Sequence, residues 1–291
     1  MHTSLFGLAT AISWAVADIF IAQSTKTFKP VYAAALVSLM GATMFVIYYV
    51  LFIQIPVPSN ILGVVWSASA GFFISIAAVF FFKAIHQGPI GLVSALSSTY
   101  PAVTLVLAIS LFSATLSSRQ SVGFAMVIAG VVAAAGFHAS GTEKTQSSST
   151  GTWMALLAAL TWGIGYGLLA EGVKLLGWQA ASLVQFSVLA VCCLLLILFT
   201  RKRYETSLST MESSIKNPFI IGSAITQQAG AVLLNIGLSG DETGGSIIVA
   251  LSSCYPVLTT IMAYFLYQER IPFLALAGGS LAIAGIVVLS V

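Results

Sequence analysis

Ala95-Leu-Ser-Ser-Thr-Tyr100-Pro101 returns 155 positions later as Ala250-Leu-Ser-Ser-Cys-Tyr255-Pro256, and Ala129-Gly130-Val131-Val132 returns at the same offset as Ala284-Gly285-Ile286-Val287. Residues 94–136 are thus written twice, and an internal duplication is the first fact to explain. The copies are apolar, and so is the rest of the chain. Of 291 residues 58% are hydrophobic and 7% charged, with a mean hydropathy of +1.03; a soluble domain carries about 25% charged residues. The composition is that of a polytopic membrane protein.

Apolar stretches long enough to cross a hydrocarbon core of about 30 Å recur along the chain. They predict an all-α membrane protein with ten transmembrane helices, near Leu5–Ala22, Val31–Ile53, Ile61–Phe82, Ile90–Phe112, Gln120–Phe137, Thr152–Gly172, Gln179–Phe199, Pro218–Leu238, Gly244–Leu266 and Pro272–Ser290. The first stretch is read as a span and not as a cleaved leader: no Lys or Arg precedes it, its apolar run is long, and it has a partner in the second half. There Ala11-Ile-Ser-Trp14 matches Ala159-Leu-Thr-Trp162, and Lys26 matches Lys174.

The polar segment 138–151, rich in Ser, Thr and Gly, reads as a flexible linker between a first five-helix repeat (1–137) and a second (152–291). The segment 200–217 reads as a juxtamembrane loop opening on Arg201-Lys202-Arg203. Neither can build a soluble core, so a soluble catalytic or nucleic-acid-binding domain is excluded. The net charge of +3 belongs to membrane topology.

Five crossings is an odd number. A five-helix unit fused to its own copy re-enters the bilayer from the opposite side, which makes the halves inverted repeats, a recurring transporter architecture with substrate held near the midplane. The same pseudo-symmetry gives one sequence two states of similar energy, open to one side or the other. Orientation stays open. Lys26, Lys29, Lys83, Lys144, Arg201, Lys202, Arg203, Lys216 and Arg270 follow odd-numbered spans, against Arg119 and Lys174 after even ones. This places odd loops in the cytoplasm and both termini outside.

Two five-span halves, Trp14 and Trp162 in their first spans, the Leu-Ser-Ser-x-Tyr-Pro motif in the fourth and a Gly-rich fifth together resemble the EamA-type drug/metabolite transporter superfamily over essentially the whole chain. Within it, residues 80–101 (Phe-Phe-Phe-Lys83-Ala-Ile-His86 through Tyr100-Pro101) are similar to bacterial exporters of aromatic amino acids. The resemblance implies a multi-pass protein of a bacterial inner membrane, termini inside, exporting aromatic amino acids or related small amphipathic metabolites; a sugar, nucleotide-sugar or multidrug exporter is the alternative. The family's acidic residue after the fourth span is present as Glu269, whereas the first half has Ala114.

The candidate substrate residues are Trp14, Asp18, Tyr100, Trp162, Tyr166, Gln228, Asn235 and Tyr255. Trp14, Trp162, Tyr100 and Tyr255 form two matched pairs, read singly as packing and as a set as the wall of a cavity. Asp18 lies one turn after Trp14 on the same helix face. A carboxylate inside a span costs about 2.5–3.5 kcal/mol on insertion scales, so it faces a partner such as Lys26 or Lys83, a water path, the headgroups or the cavity. In a cavity it would hold a substrate ammonium or a coupling proton. Gln228 and Asn235 share a face two turns apart, as interhelical glue or substrate contacts; Gln185 is read in the same way.

Pro101 and Pro256, placed inside spans, are packing kinks or hinges. Lys83 and His86, Glu171 and Lys174 are interfacial, and Asp241/Glu242 and Glu269/Arg270 sit in tight solvated loops. Small residues near Gly130 and Gly285 let helices approach closely, leaving the last spans as a scaffold or dimer surface. Catalytic, phosphate-loop and metal signatures are lacking: His2, His86 and His138 are mutually remote, and Cys192, Cys193 and Cys254 lie in spans. The expectation is a transporter and not an enzyme, with no cofactor, no metal and no nucleic-acid partner, in contact with lipid, a small substrate and a coupling proton.

Overall fold

The computed structural model describes residues 2–53, 60–112, 117–136, 149–204, 208–239, 251–269 and 273–290, and among these every regular element is helical. They are α1 His2–Thr27, α2 Pro30–Phe52, α3 Ile61–Gln87, α4 Ile90–Ser97, α5 Tyr100–Phe112, α6 Ser118–Gly136, α7 Ser149–Tyr204, α8 Leu208–Ile215, α9 Pro218–Leu238, α10 Tyr255–Tyr267 and α11 Phe273–Ser290. Six stretches are long and apolar enough to cross a bilayer: Leu5–Thr27, Pro30–Phe52, Ile61–Gln87, Ile90–Leu111, Ser149–Thr200 and Pro218–Leu238. Shorter apolar helices cover Ser121–Gly130, Tyr255–Tyr267 and Leu276–Val288. Large apolar side chains such as Phe52, Ile61, Leu195 and Phe265 point outward, as a bilayer permits and water does not.

Two expected spans lie within α7. Its two arms break at Gly177, whose φ of 76° only a residue without a Cβ adopts at little cost. The fourth span is two helices, α4 and α5, separated at Ser98 and Thr99. This corrects the reading of the prolines: neither kinks a continuous helix. Pro101 is the second residue of α5 and Pro256 the second of α10, positions where the missing N–H costs no intrahelical bond. The linker and Asp241/Glu242 lie outside the described residues.

The core is built from α1, α2, α3, α4, both arms of α7 and α9, with Tyr100 of α5 and Tyr255 and Ala263 of α10. The N-cap side chains of α3 and α9 are supplied by Asn60, which accepts from the Gly63 N–H at 3.0 Å, and Asn217, which accepts from the Phe219 N–H at 2.9 Å. α1 and α10 lie side by side and point the same way, with Trp14 against Tyr255, Asp18 against Thr259 and Lys26 over the ring of Tyr267. The α6–α11 pair runs in opposite directions. A Cβ on Gly130 would stand 2.6 Å from the Gly278 carbonyl and 2.4 Å from the Ala282 nitrogen; one on Gly285 would stand 2.7 Å from the Gly123 carbonyl and 2.7 Å from the Val127 nitrogen. At the 155-residue offset Gly123 matches Gly278 and Val127 matches Ala282. The contacts are therefore exchanged reciprocally, as a two-fold axis between halves requires. The small faces expected to serve as scaffold or dimer surface meet each other within the chain.

Glu269 also differs from expectation. Both carboxylate oxygens are buried and lack a hydrogen bond of good geometry among the described residues, although they lie against the Gly91 and Ile90 N–H groups. Those groups begin α4, whose N-cap Pro89 offers no side chain to cap it, so an acid from the other half stands at the positive end of this helix. The Glu171–Lys174 pair is closed at 2.6 Å, as expected.

Two predictions follow from this packing. Gly130→Ala forces a methyl against the α11 backbone and should cost about 1–3 kcal/mol, read as a lower melting temperature of the purified protein; an unchanged value would refute the close approach. Burial pushes the Glu269 carboxyl up to about 7 from 4.5, partly offset by the Gly91 and Ile90 N–H groups. Because the folded protein holds this proton more tightly than the unfolded chain, the stability tied to it is present below about pH 4.5 and lost as pH rises through about 7. Glu269→Gln should flatten the difference in melting temperature between pH 5 and pH 8, and a variant retaining the wild-type difference would assign it elsewhere.

Candidate functional site

The repeated motif places the site. In each copy the chain stops being helical just before Tyr-Pro, and the two breaks face one another in the interior. The Tyr255 hydroxyl lies 3.2 Å from Ser97 Oγ and donates to the Ser94 carbonyl at 3.4 Å. The Tyr100 hydroxyl in turn points toward Ser252 and Ser253. Tyr255 thus bonds across to the other half, while the Tyr100 hydroxyl is buried without a hydrogen bond of good geometry among the described residues. Backbone groups freed by a broken helix inside a membrane must be satisfied by protein, and local hydroxyls do this: Ser97, Ser98 and Thr99 donate to the carbonyls of Ser94, Ala95 and Leu96 at 3.1, 2.9 and 2.7 Å.

Beside this crossing is a buried cavity of about 50 Å3. α1 contributes Trp14 and Asp18, α3 Ile74 and Phe81, α5 Tyr100, α7 Trp162, Tyr166 and Gln185, α9 Gln227 and Gln228, and α10 Tyr255. Trp14 is the hub of its wall. Its ring centroid lies 6.5 Å from Tyr100 and 5.7 Å from Tyr255, both edge-on, and 6.3 Å from Tyr166, while Tyr100 and Tyr166 are 5.1 Å apart. Trp162 packs on Phe81 at 4.9 Å. Each such pair contributes about 0.5–1.5 kcal/mol beyond area burial. Trp14 is oriented from α9, where its indole N–H donates to the Gln227 carbonyl at 3.3 Å and Gly230 leaves room for the ring; a Cβ there would stand 2.5 Å from it.

Asp18 is 3% exposed. The Ser94 hydroxyl and the Thr259 hydroxyl, the latter at 3.0 Å, both donate to Oδ2. Neither Lys26 nor Lys83 is its partner: Lys26 stacks over Tyr267, 4.4 Å from the ring centre. Two hydroxyls, one from each half, therefore hold one carboxylate oxygen, and among the described residues no hydrogen bond reaches Oδ1.

Seven of the eight candidate residues, Trp14, Asp18, Tyr100, Trp162, Tyr166, Gln228 and Tyr255, line this cavity. Asn235 does not, and this corrects its assignment as a substrate contact. Its amide donates to Ser182 Oγ at 2.8 Å and Gln185 Oε1 at 3.1 Å, so it ties α9 to the second arm of α7 and orients Gln185. A seven-residue spacing puts Gln228 and Asn235 on one face but at different depths, which explains their different roles. Ser94, Thr259 and Gln227 were not among the candidates. The signal for Thr259 was its place one turn after Tyr255; Ser94 has an acid as its partner only through the tertiary fold. Among the described residues no cluster of three His, Cys, Asp or Glu could hold a metal.

The EamA-like transporter family model matches this chain twice, over residues 2–135 and 149–291. An uncharacterized transporter of Archaeoglobus fulgidus is 26% identical over 295 residues, covering 98% of this chain and 96% of that one. A solved crystal structure at 18% identity aligns over 99% of this chain and 96% of its own with a TM-score of 0.63, which concerns the fold alone. With nearly all its residues in two family matches separated by residues 136–148, the chain belongs to the EamA-like transporter family.

Proposed function

We propose that this transporter works by alternating access, as ten crossings in two inverted halves, and exports small amphipathic molecules that carry an aromatic ring and an amino group. The observation that carries the reading is the cavity at the crossing of the two motifs, where Trp14, Tyr100, Tyr166 and Tyr255 form an aromatic wall beside the buried Asp18. Ring faces and edges bind a ring by apolar contact and stacking, and a buried acid suits an ammonium. Aromatic amino acids such as Phe, Tyr and Trp enter through the resemblance of residues 80–101, since the archaeal relative's name gives no substrate. The antiparallel, reciprocal α6–α11 contact supports inversion, because an axis along the membrane normal would leave equivalent helices parallel. A plasma membrane, and in a bacterium the inner membrane, is the matching location.

At about 50 Å3 the cavity has room for a few waters, whereas a cavity of about 150 Å3 accommodates benzene. The aromatic wall must part to admit a ring, and the two helix breaks ending at Pro101 and Pro256 are the places where it can bend. Asp18, freed from Ser94 and Thr259 in such a movement, is available to substrate or to a coupling proton. A nucleotide-sugar is disfavoured, because its phosphates would meet a carboxylate and, among the described lining residues, no base.

In proteoliposomes preloaded with ring-bearing amines and amino acids, counterflow should saturate and glucose should not compete. Replacing Trp14 or Tyr166 by Ala should raise the half-saturating concentration about 2- to 12-fold, the equivalent of one aromatic pair. Wild-type values in both variants would remove the aromatic wall from the site.

A further inference from the structure

Building on that transporter reading, we infer that the cavity selects an amphipathic primary amine, a ring bearing an ammonium group and no carboxylate, over the corresponding zwitterionic amino acid.

The charge of the lining is one-sided. Asp18 is its single charged group, and among the described residues no Lys, Arg or His lines it. Asp18 Oδ2 is taken by Ser94 and Thr259 while Oδ1 accepts nothing among the described residues. Gln227 Oε1 and Gln228 Oε1 are buried without a hydrogen-bond partner among those residues, and Gln228 as a whole is 8% exposed. Asp18, Gln227 and Gln228, the residues that carry these three oxygens, all line one small space. An ammonium carries three donors and no acceptor, and is the complement of such a set. Buried acceptors left unmatched are costly, so a ligand that satisfies them gains most.

The aromatic wall favours the same charge. Trp14 precedes Asp18 by one helical turn and is flanked by Tyr100, Tyr166 and Tyr255 within 6.5 Å. A cation held by Asp18 lies beside these rings, whose faces attract positive charge, most strongly when desolvated. A substrate carboxylate has the opposite prospect. The Trp14 N–H is already donated to the Gln227 carbonyl, the lining offers neutral donors such as the Tyr100 and Tyr166 hydroxyls but, among the described residues, no base, and the group would share a buried site with Asp18, where like charges repel strongly.

Three probes with the same ring separate the charges: phenethylamine, phenylalanine and phenylacetate, competing for counterflow of labelled phenethylamine in liposomes containing the full chain. Phenethylamine should compete at least about tenfold better than phenylalanine, and phenylacetate should not compete; the tenfold floor matches one buried polar group left unsatisfied at its weakest. Asp18→Asn should shrink the amine preference toward parity, and the wild-type comparison stands even should that variant fold poorly. Phenylalanine competing as well as the amine, or phenylacetate competing at all, would overturn this selectivity while leaving the transporter reading intact. No exchange of any of the three would defeat both.

Discussion

A helix broken inside a membrane exposes backbone groups that lipid cannot satisfy, and this protein breaks at Ser98–Thr99 and again before Tyr255. Everything around the site answers that constraint. Hydroxyls of the motif bond back to their own turn, and Tyr255 reaches Ser97 and the Ser94 carbonyl of the opposite half. Tyr255 through Ser97 and the Ser94 carbonyl, and Asp18 through Thr259, join the two halves here. The same joint that stabilises the fold is therefore the joint across which the halves would move, and it borders the cavity.

The duplication is followed closely in packing and departed from in chemistry. Gly130 and Gly285 exchange contacts reciprocally, and Tyr100 and Tyr255 play matching parts. Trp14 matches Trp162, yet at the same 148-residue offset Asp18 faces its counterpart as Tyr166. One half thus presents an acid where the other presents a phenol, and both line one cavity. Near-symmetric packing frames the site, and the asymmetric pair gives it its charge. The Asp18 contacts to Ser94 in the first half and Thr259 in the second link that charge to the joint, so a ligand that draws the carboxylate away loosens a bond between halves.

Much of this was legible in the sequence, and for identifiable reasons. Apolar length, the Tyr-Pro repeat and the pairing of Trp14 with Trp162 depend on local pattern, and they led to a helical membrane protein, its family and the cavity residues. Tertiary partners were less accessible. Nothing local distinguishes Gln228, which lines the cavity, from Asn235, which is bonded to Ser182 and Gln185. Likewise Asp18 has lysines within reach along the chain, but the fold satisfies it with hydroxyls 76 and 241 residues away. A Pro within an apolar run reads as a kink, whereas here each lies at the start of a new helix. Glu269 was assigned to solvent by its loop position, and the fold instead carries it to the uncapped start of α4.

The central claim is that one buried cavity between the halves opens to each side of the membrane in turn. Ala78 lines that cavity and is 3% exposed. In a chain whose three native cysteines are replaced, an Ala78→Cys thiol can be probed with an impermeant maleimide added to either face of oriented vesicles. The account predicts labelling from both faces, slowed by a transported amine; labelling from one face only, under all substrate conditions, would contradict it.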